Sequence, residues 1–117
     1  MAQTTEIQQR RETIQLLEEN NKEGLTGLLD SMSSKEIVHL MGHLKRDDQM
    51  KLLTMLAPEN AADVIEEIPG VQAVHIIEDL SERDAAAILD QMRSNEQADI
   101  IKELDQDNAS AILDRMD

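Results

Sequence analysis

The sequence predicts an all-α fold, a right-handed superhelical solenoid of short helices. Three observations carry that expectation: an apolar stripe at helical spacing, a strict twelve-residue period, and helix-start chemistry at the front of each period. Cut every twelve residues from Ser33, the chain gives seven ungapped units ending at residue 116. Position 8 of the units is Leu40, Leu52, Val64, Ile76, Ile88, Ile100 and Ile112, and position 9 is Met41, Leu53, Ile65, Ile77, Leu89, Ile101 and Leu113. Position 12 is Leu44, Leu56, Ile68, Leu80, Met92, Leu104 and Met116. Position 5 is Ile37, Ala61, Ala73, Ala85 and Ala109, with Gln49 and Gln97 as departures. Positions 5, 8, 9 and 12 stand at i, i+3, i+4 and i+7. They share one face of an α-helix and do not fit the alternation of a strand.

The helix starts come next. Ser33 with Glu36 reads as a capping box, and Ser81 with Asp84 and Asp105 with Asn108 read as weaker caps. Pro58 suits a first helical turn, and Pro69-Gly70 breaks the chain between two units. Each unit is therefore a helix of about three turns followed by a tight bend. Backward from Ser33, Leu25, Leu28, Leu29 and Met32 keep the frame, while Gly24 and Gly27 are expected to loosen their helix. Ile14, Leu16 and Leu17 mark a first helix running to about Glu19 that departs from the repeat, as a cap does. The expected organisation is a capping helix over 1–20 and a helical-repeat domain over 21–117. Asp117 reads as position 1 of a further unit, and with no polar cap on the last stripe the chain is expected to be cut from something longer.

Composition narrows the function. At 117 residues and 40% hydrophobic, the chain has the length of one domain and the apolar content for a core. No apolar run approaches the roughly 18 residues of a membrane span, and Met1 to Arg10 lack the apolar segment of a signal peptide, so a cytoplasmic location is the expectation. Cysteine is absent, which excludes disulfides and thiolate metal sites. With no Phe, Trp or Tyr and a net charge of −14, nucleic acid and anionic membrane surfaces are poor partners. The charge is uneven: residues 57–117 carry −12 and residues 1–56 only −2.

No catalytic constellation stands out. The four glycines are scattered, and no signature links Ser, His and Asp, so the chain is not read as an enzyme. His39 and His43, at i and i+4, have the spacing of a transition-metal pair. They lack a third ligand and flank the stripe, so a solvated or partner-facing pair is the expectation; His75 stands alone. Met41, Met92 and Met116 read as core, and Met50 and Met55 as exposed. The carboxylates are the candidates for binding, because hydrated Mg²⁺ takes carboxylate and water oxygens and needs few protein ligands.

The run from Leu52 to Ile68, with Ala85–Met92 and Ala109–Met116, resembles the N-terminal domain of the MgtE family of magnesium transporters, over about residues 20–117. The resemblance implies a cytosolic, acidic helical domain whose parent sits in the plasma membrane as a homodimer. It also implies Mg²⁺ ions that bridge this domain to CBS domains of the same chain. The bridged form shuts the pore, and loss of Mg²⁺ lets the helical domain swing away. The family's ligand acid falls on Asp63, with Asp in place of Glu. A second acidic pair falls on Asp99 and on Asn95, where the charge is lost and neighbouring Glu96 can substitute. Asp63 and Asp99 share position 7, which a regular solenoid presents along one edge. The alternative is a protein-interaction scaffold of short helical repeats, like the flagellar motor-switch protein FliG, with no cation role.

Overall fold

The computed structural model describes residues 2–116, with side chains from Glu6 onward; Met1 and Asp117, and with it the reading of Asp117 as the start of a further unit, lie outside the described residues. Among the described residues the chain is all helical: α1 (Ala2–Glu18), α2 (Lys22–Asp30), α3 (Ser34–His43), α4 (Arg46–Met55), α5 (Pro58–Glu67), α6 (Gly70–Asp79), α7 (Glu82–Asp90), α8 (Ser94–Glu103) and α9 (Gln106–Arg115). From α3 onward every helix begins at position 2 of its twelve-residue unit, with position 1 as its N-cap.

The joints explain the period. Helices α3, α4, α5, α6, α8 and α9 end at a position-12 residue in the extended region, with ψ between 139° and 158°. After α3, α4, α5, α6 and α8 the next residue is also extended, with ψ between 139° and 156°, as at Lys45 (156°) and Ser81 (154°). Two extended residues turn the chain sharply and start a new helix. Helices of nine or ten residues are marginal in water alone, so tertiary burial of the stripe must stabilise them. Position 8 is buried in all seven units, and position 9 in the first five, while Leu113 is 49% exposed.

The chain divides into two compact units, Met1–Leu56 and Ala57–Asp117. In the first, α1 packs on α2, α3 and α4. Helix α1 ends in a Schellman arrangement: Asn20 has φ 56°, Asn21 N–H donates to Leu16 O (2.9 Å) and Asn20 N–H to Leu17 O (3.2 Å). Gly24 does not loosen α2. A Cβ there would lie 2.7 Å from Leu16 Cδ2 and 2.9 Å from Asn21 Nδ2, so Gly24 lets α2 approach α1 closely. The predicted capping box is present: Glu36 N–H donates to Ser33 Oγ (3.2 Å), and Ser33 N–H to Glu36 Oε1 (3.1 Å).

In the second unit α5 packs on α7 and α7 on α9, while α6 packs on α8, so alternate helices form two rows. Pro58 stands at the start of α5 and Ser81 Oγ accepts from Asp84 N–H (3.1 Å), as the sequence predicts. Asp105 makes no side-chain cap hydrogen bond, unlike its sequence expectation; its exposed carboxylate stays in solvent. Gln49 and Gln97, the polar departures at position 5, have matching roles. Each donates its amide to the position-9 carbonyl of the preceding helix, Met41 O or Leu89 O, at 2.6 Å. Met41 and Met92 are in the core, whereas Met116, expected there, is half-buried, as are Met50 and Met55, which were expected to be exposed.

Candidate functional site

The strongest concentration of unusual chemistry lies in the second unit. Glu66 near the end of α5 and Glu96 in the first turn of α8 meet, and with Asp99 they line a cleft of about 220 Å³ floored by Ile65, Ile68, Ala73 and Ile100. Glu66 serves as a remote cap for α8. Its Oε2 accepts from the backbone N–H of Arg93 at 3.2 Å and from Arg93 Nε at 3.4 Å, where the helix N-terminus favours a negative charge. Arg93 Nη2 lies 4.0 Å from Glu96 Oε1.

Two carboxylates beside one guanidinium are under-neutralised. Glu96 Oε2 is buried and no N–H or O–H of the described chain donates to it. Its neighbour is the Glu66 carboxyl, itself an acceptor, so a cation, a proton or a donating water between the two acids would offset their repulsion. The Glu66 contact first, then burial and the Glu66 charge, raise the Glu96 carboxyl above the usual carboxylate value. Burial pushes Glu66 up, but the hydrogen bonds from Glu96 and Arg93 outweigh it and leave Glu66 below that value.

The residues singled out from sequence divide. Glu96 and Asp99 line the cleft. Asp63 and Asn95 are exposed and do not line it. Asp63 belongs to α5, in the row with α7 and α9, whereas Asp99 belongs to α8, in the row with α6. Equal position in the repeat therefore does not place both on one row. Glu66 was not among the sequence candidates. Its only sequence signal is spacing: Asp63 and Glu66 on α5, like Glu96 and Asp99 on α8, stand at i, i+3 and so on one side of their helices.

In the first unit His39 and His43 contact each other, Nε2 to Nε2 at 3.2 Å, and His39 Nε2 lies 3.1 Å from Glu6 Oε2. His75 is exposed beside Glu78, at 3.6 Å, on the rim of a wider groove along α6 and α8. Among the described residues no three His, Cys, Asp or Glu side chains converge to hold a metal ion, and no helix is long and apolar enough to cross a membrane.

Residues 32–117 match the family model of the MgtE intracellular N domain, most of the chain. The chain belongs to this family. Comparison with curated proteins gives no match. Among solved structures the MgtE-family chain is similar to one described as the crystal structure of the soluble part of a magnesium transporter. The identity is 15% and the TM-score 0.48, over 93% of this chain and 48% of that one.

Proposed function

We propose that this MgtE-family domain is a Mg²⁺-responsive regulatory module of a magnesium transporter. In this reading its carboxylates form half of a hydrated Mg²⁺ site, and CBS domains of the same parent chain, a membrane-embedded homodimer, supply the other half. The observation that supports it is the Glu66–Glu96 pair, a half-buried couple of acids with Asp99 beside them and Arg93 as the neighbouring cation.

Mg²⁺ sheds water reluctantly and binds through one or two carboxylates with the rest of its octahedron as water, so a cleft with few direct ligands suits it. Filled sites offset the repulsion between two acidic surfaces and favour the docked, closed-pore state. Without Mg²⁺ the −12 charge on residues 57–117 favours separation. In this reading Asp63 on α5 and Asn95 on α8, both exposed and outside the cleft, contribute from the surface. Alone the domain holds Mg²⁺ weakly, because half of the ligands are missing.

The test is a Mg²⁺ titration of the parent chain, read as protection from protease, on the cytoplasmic side of the membrane where this reading places it. Glu66→Gln, Glu96→Gln, Asp99→Asn and Asp63→Ala are each expected to move the midpoint to higher Mg²⁺, the cleft acids by on the order of tenfold, equivalent to about 1.4 kcal/mol. Midpoints that coincide with the parent's would overturn the assignment. A parent indifferent to Mg²⁺ would leave the scaffold reading in its place.

A further inference from the structure

The geometry points to a second metal site of a different kind, a two-histidine clip for a borderline divalent transition ion such as Zn²⁺, formed by His39 and His43 on α3. Four residues apart on a helix, the two imidazoles project from one face. Their Nε2 atoms are 3.2 Å apart, and Glu6 Oε2 of α1 is 3.1 Å from His39 Nε2.

His39 Nε2 thus faces two groups at once. In neutral imidazole a ring nitrogen is either a donor or an acceptor, so a single proton on His39 Nε2 cannot serve both contacts well. A cation held by the two imidazoles, with Glu6 reached through a bound water, removes that conflict. The spacing suits one: metal–nitrogen bonds of about 2.0–2.1 Å place neighbouring ligand atoms roughly 3.3 Å apart in a tetrahedron and about 2.9 Å apart in an octahedron. The Nε2–Nε2 separation of 3.2 Å falls between these limits. No third side chain converges fully, so the protein ligands are the two imidazoles, and water completes the shell. Glu6 accepts from bound water and adds negative charge.

The surroundings hold the clip in place. Gln9 Nε2 of α1 donates to Glu36 Oε2 (2.8 Å), the acid of the α3 capping box, so α1 and α3 are pinned one turn from the histidines. The recess of about 170 Å³ over the site is lined by Glu6 and Glu36 against one cation, Arg10. His39 and Glu6 are about half exposed, so an ion has access without local unfolding. Imidazole favours Zn²⁺, Ni²⁺ and Cu²⁺, whereas Mg²⁺ favours oxygen. The clip therefore binds a class of ion that the acidic cleft does not select, and it stands or falls independently of the Mg²⁺ reading.

The test uses the full chain. One equivalent of Zn²⁺ is expected to shift the imidazole proton resonances of His39 and His43 and leave those of His75 in place. By calorimetry, His39→Gln and His43→Gln each weaken Zn²⁺ at least thirtyfold, Glu6→Gln weakens it about threefold, and His75→Gln leaves it unchanged; a hundredfold excess of Mg²⁺ does not displace it. The proposal is overturned if the His39 and His43 resonances of the unaltered protein do not move, if His75→Gln weakens binding as much as the other two, or if Mg²⁺ displaces the ion. The resonance measurement needs no variant, so a substitution that harms folding cannot mask the answer.

Discussion

The two compact units use one scaffold but differ in charge, −2 over residues 1–56 and −12 over residues 57–117. In both, helices of nine or ten residues bury the same stripe, and in both a position-5 glutamine braces the preceding helix through a 2.6 Å bond, Gln49 to Met41 O and Gln97 to Leu89 O. The polar side chains differ. In residues 1–56 the nearly balanced charge lets an acid find neutral donors: Glu36 takes Gln9 and Ser33. In residues 57–117, with a net −12, acid meets acid at Glu66 and Glu96. The stripe fixes the architecture, and the outward face is free to carry a different chemistry in each unit.

The largest test of that equivalence is the core. Leu53→Ala and Leu89→Ala remove position-9 side chains that are 1% and 0% exposed, and each is expected to cost about 2–5 kcal/mol in urea denaturation. Leu113→Ala, at the same position but 49% exposed, is expected to cost no more than about 0.5 kcal/mol. Unequal losses at Leu53 and Leu89 would show that the two units do not share one core logic.

The braces and caps follow in size. Gln49→Ala and Gln97→Ala should each cost about 1 kcal/mol by the same measurement, because each loses its 2.6 Å hydrogen bond to the carbonyl of the preceding helix. Ser33→Ala should cost about 1 kcal/mol, whereas Asp105→Ala, which breaks no cap bond, should change stability by only a few tenths. A full cap-sized loss at Asp105 would mean that its carboxylate engages α9 in solution.

The smallest effects carry the sharpest contrast, since their pH dependence has opposite sign in the two units. The Gln9 hydrogen bond, then those of Ser33, lower the Glu36 carboxyl below 4.5. Its stabilisation is present above that value and lost as pH falls through the folded pKa, so Glu36→Gln should be the less stable protein at pH 7 and match the parent in acid. Glu96 is raised above 4.5, chiefly by Glu66. Its contribution is present below that value and lost as pH rises through the folded pKa. Glu96→Gln should therefore be the more stable protein at pH 7, with the gain vanishing in acid. Urea midpoints followed from pH 7 down to well below the ordinary carboxylate value decide both, and matching slopes would erase the electrostatic distinction between the units.

Much of the fold was legible because its signal is repeated. Each unit restates the same spacing, and Ser33 and Ser81 have short hydroxyls suited to their caps. Local reading failed where space decides. Gly24 looks like a weak helix residue until Leu16 of α1 is seen against it, and Gln97 looks like a flaw in the stripe until the carbonyl eight residues back is in reach. The candidate site was half legible. Glu96 and Asp99 stand on one helix, where spacing predicts their proximity, but Glu66 arrives from a helix thirty residues earlier and in the other row. Periodicity along one helix carries no information about that meeting.

The joints of two extended residues have a consequence for how such a chain changes length. Each closes its own helix and opens the next, so inserting or removing a whole period leaves every downstream side chain in register with its neighbours. A single-residue insertion within a helix instead turns its later positions by about 100°, moving a leucine outward and a glutamate inward. The domain's natural increments of growth and loss are whole dozens of residues, and a relative with one more or one fewer dozen keeps the same interior.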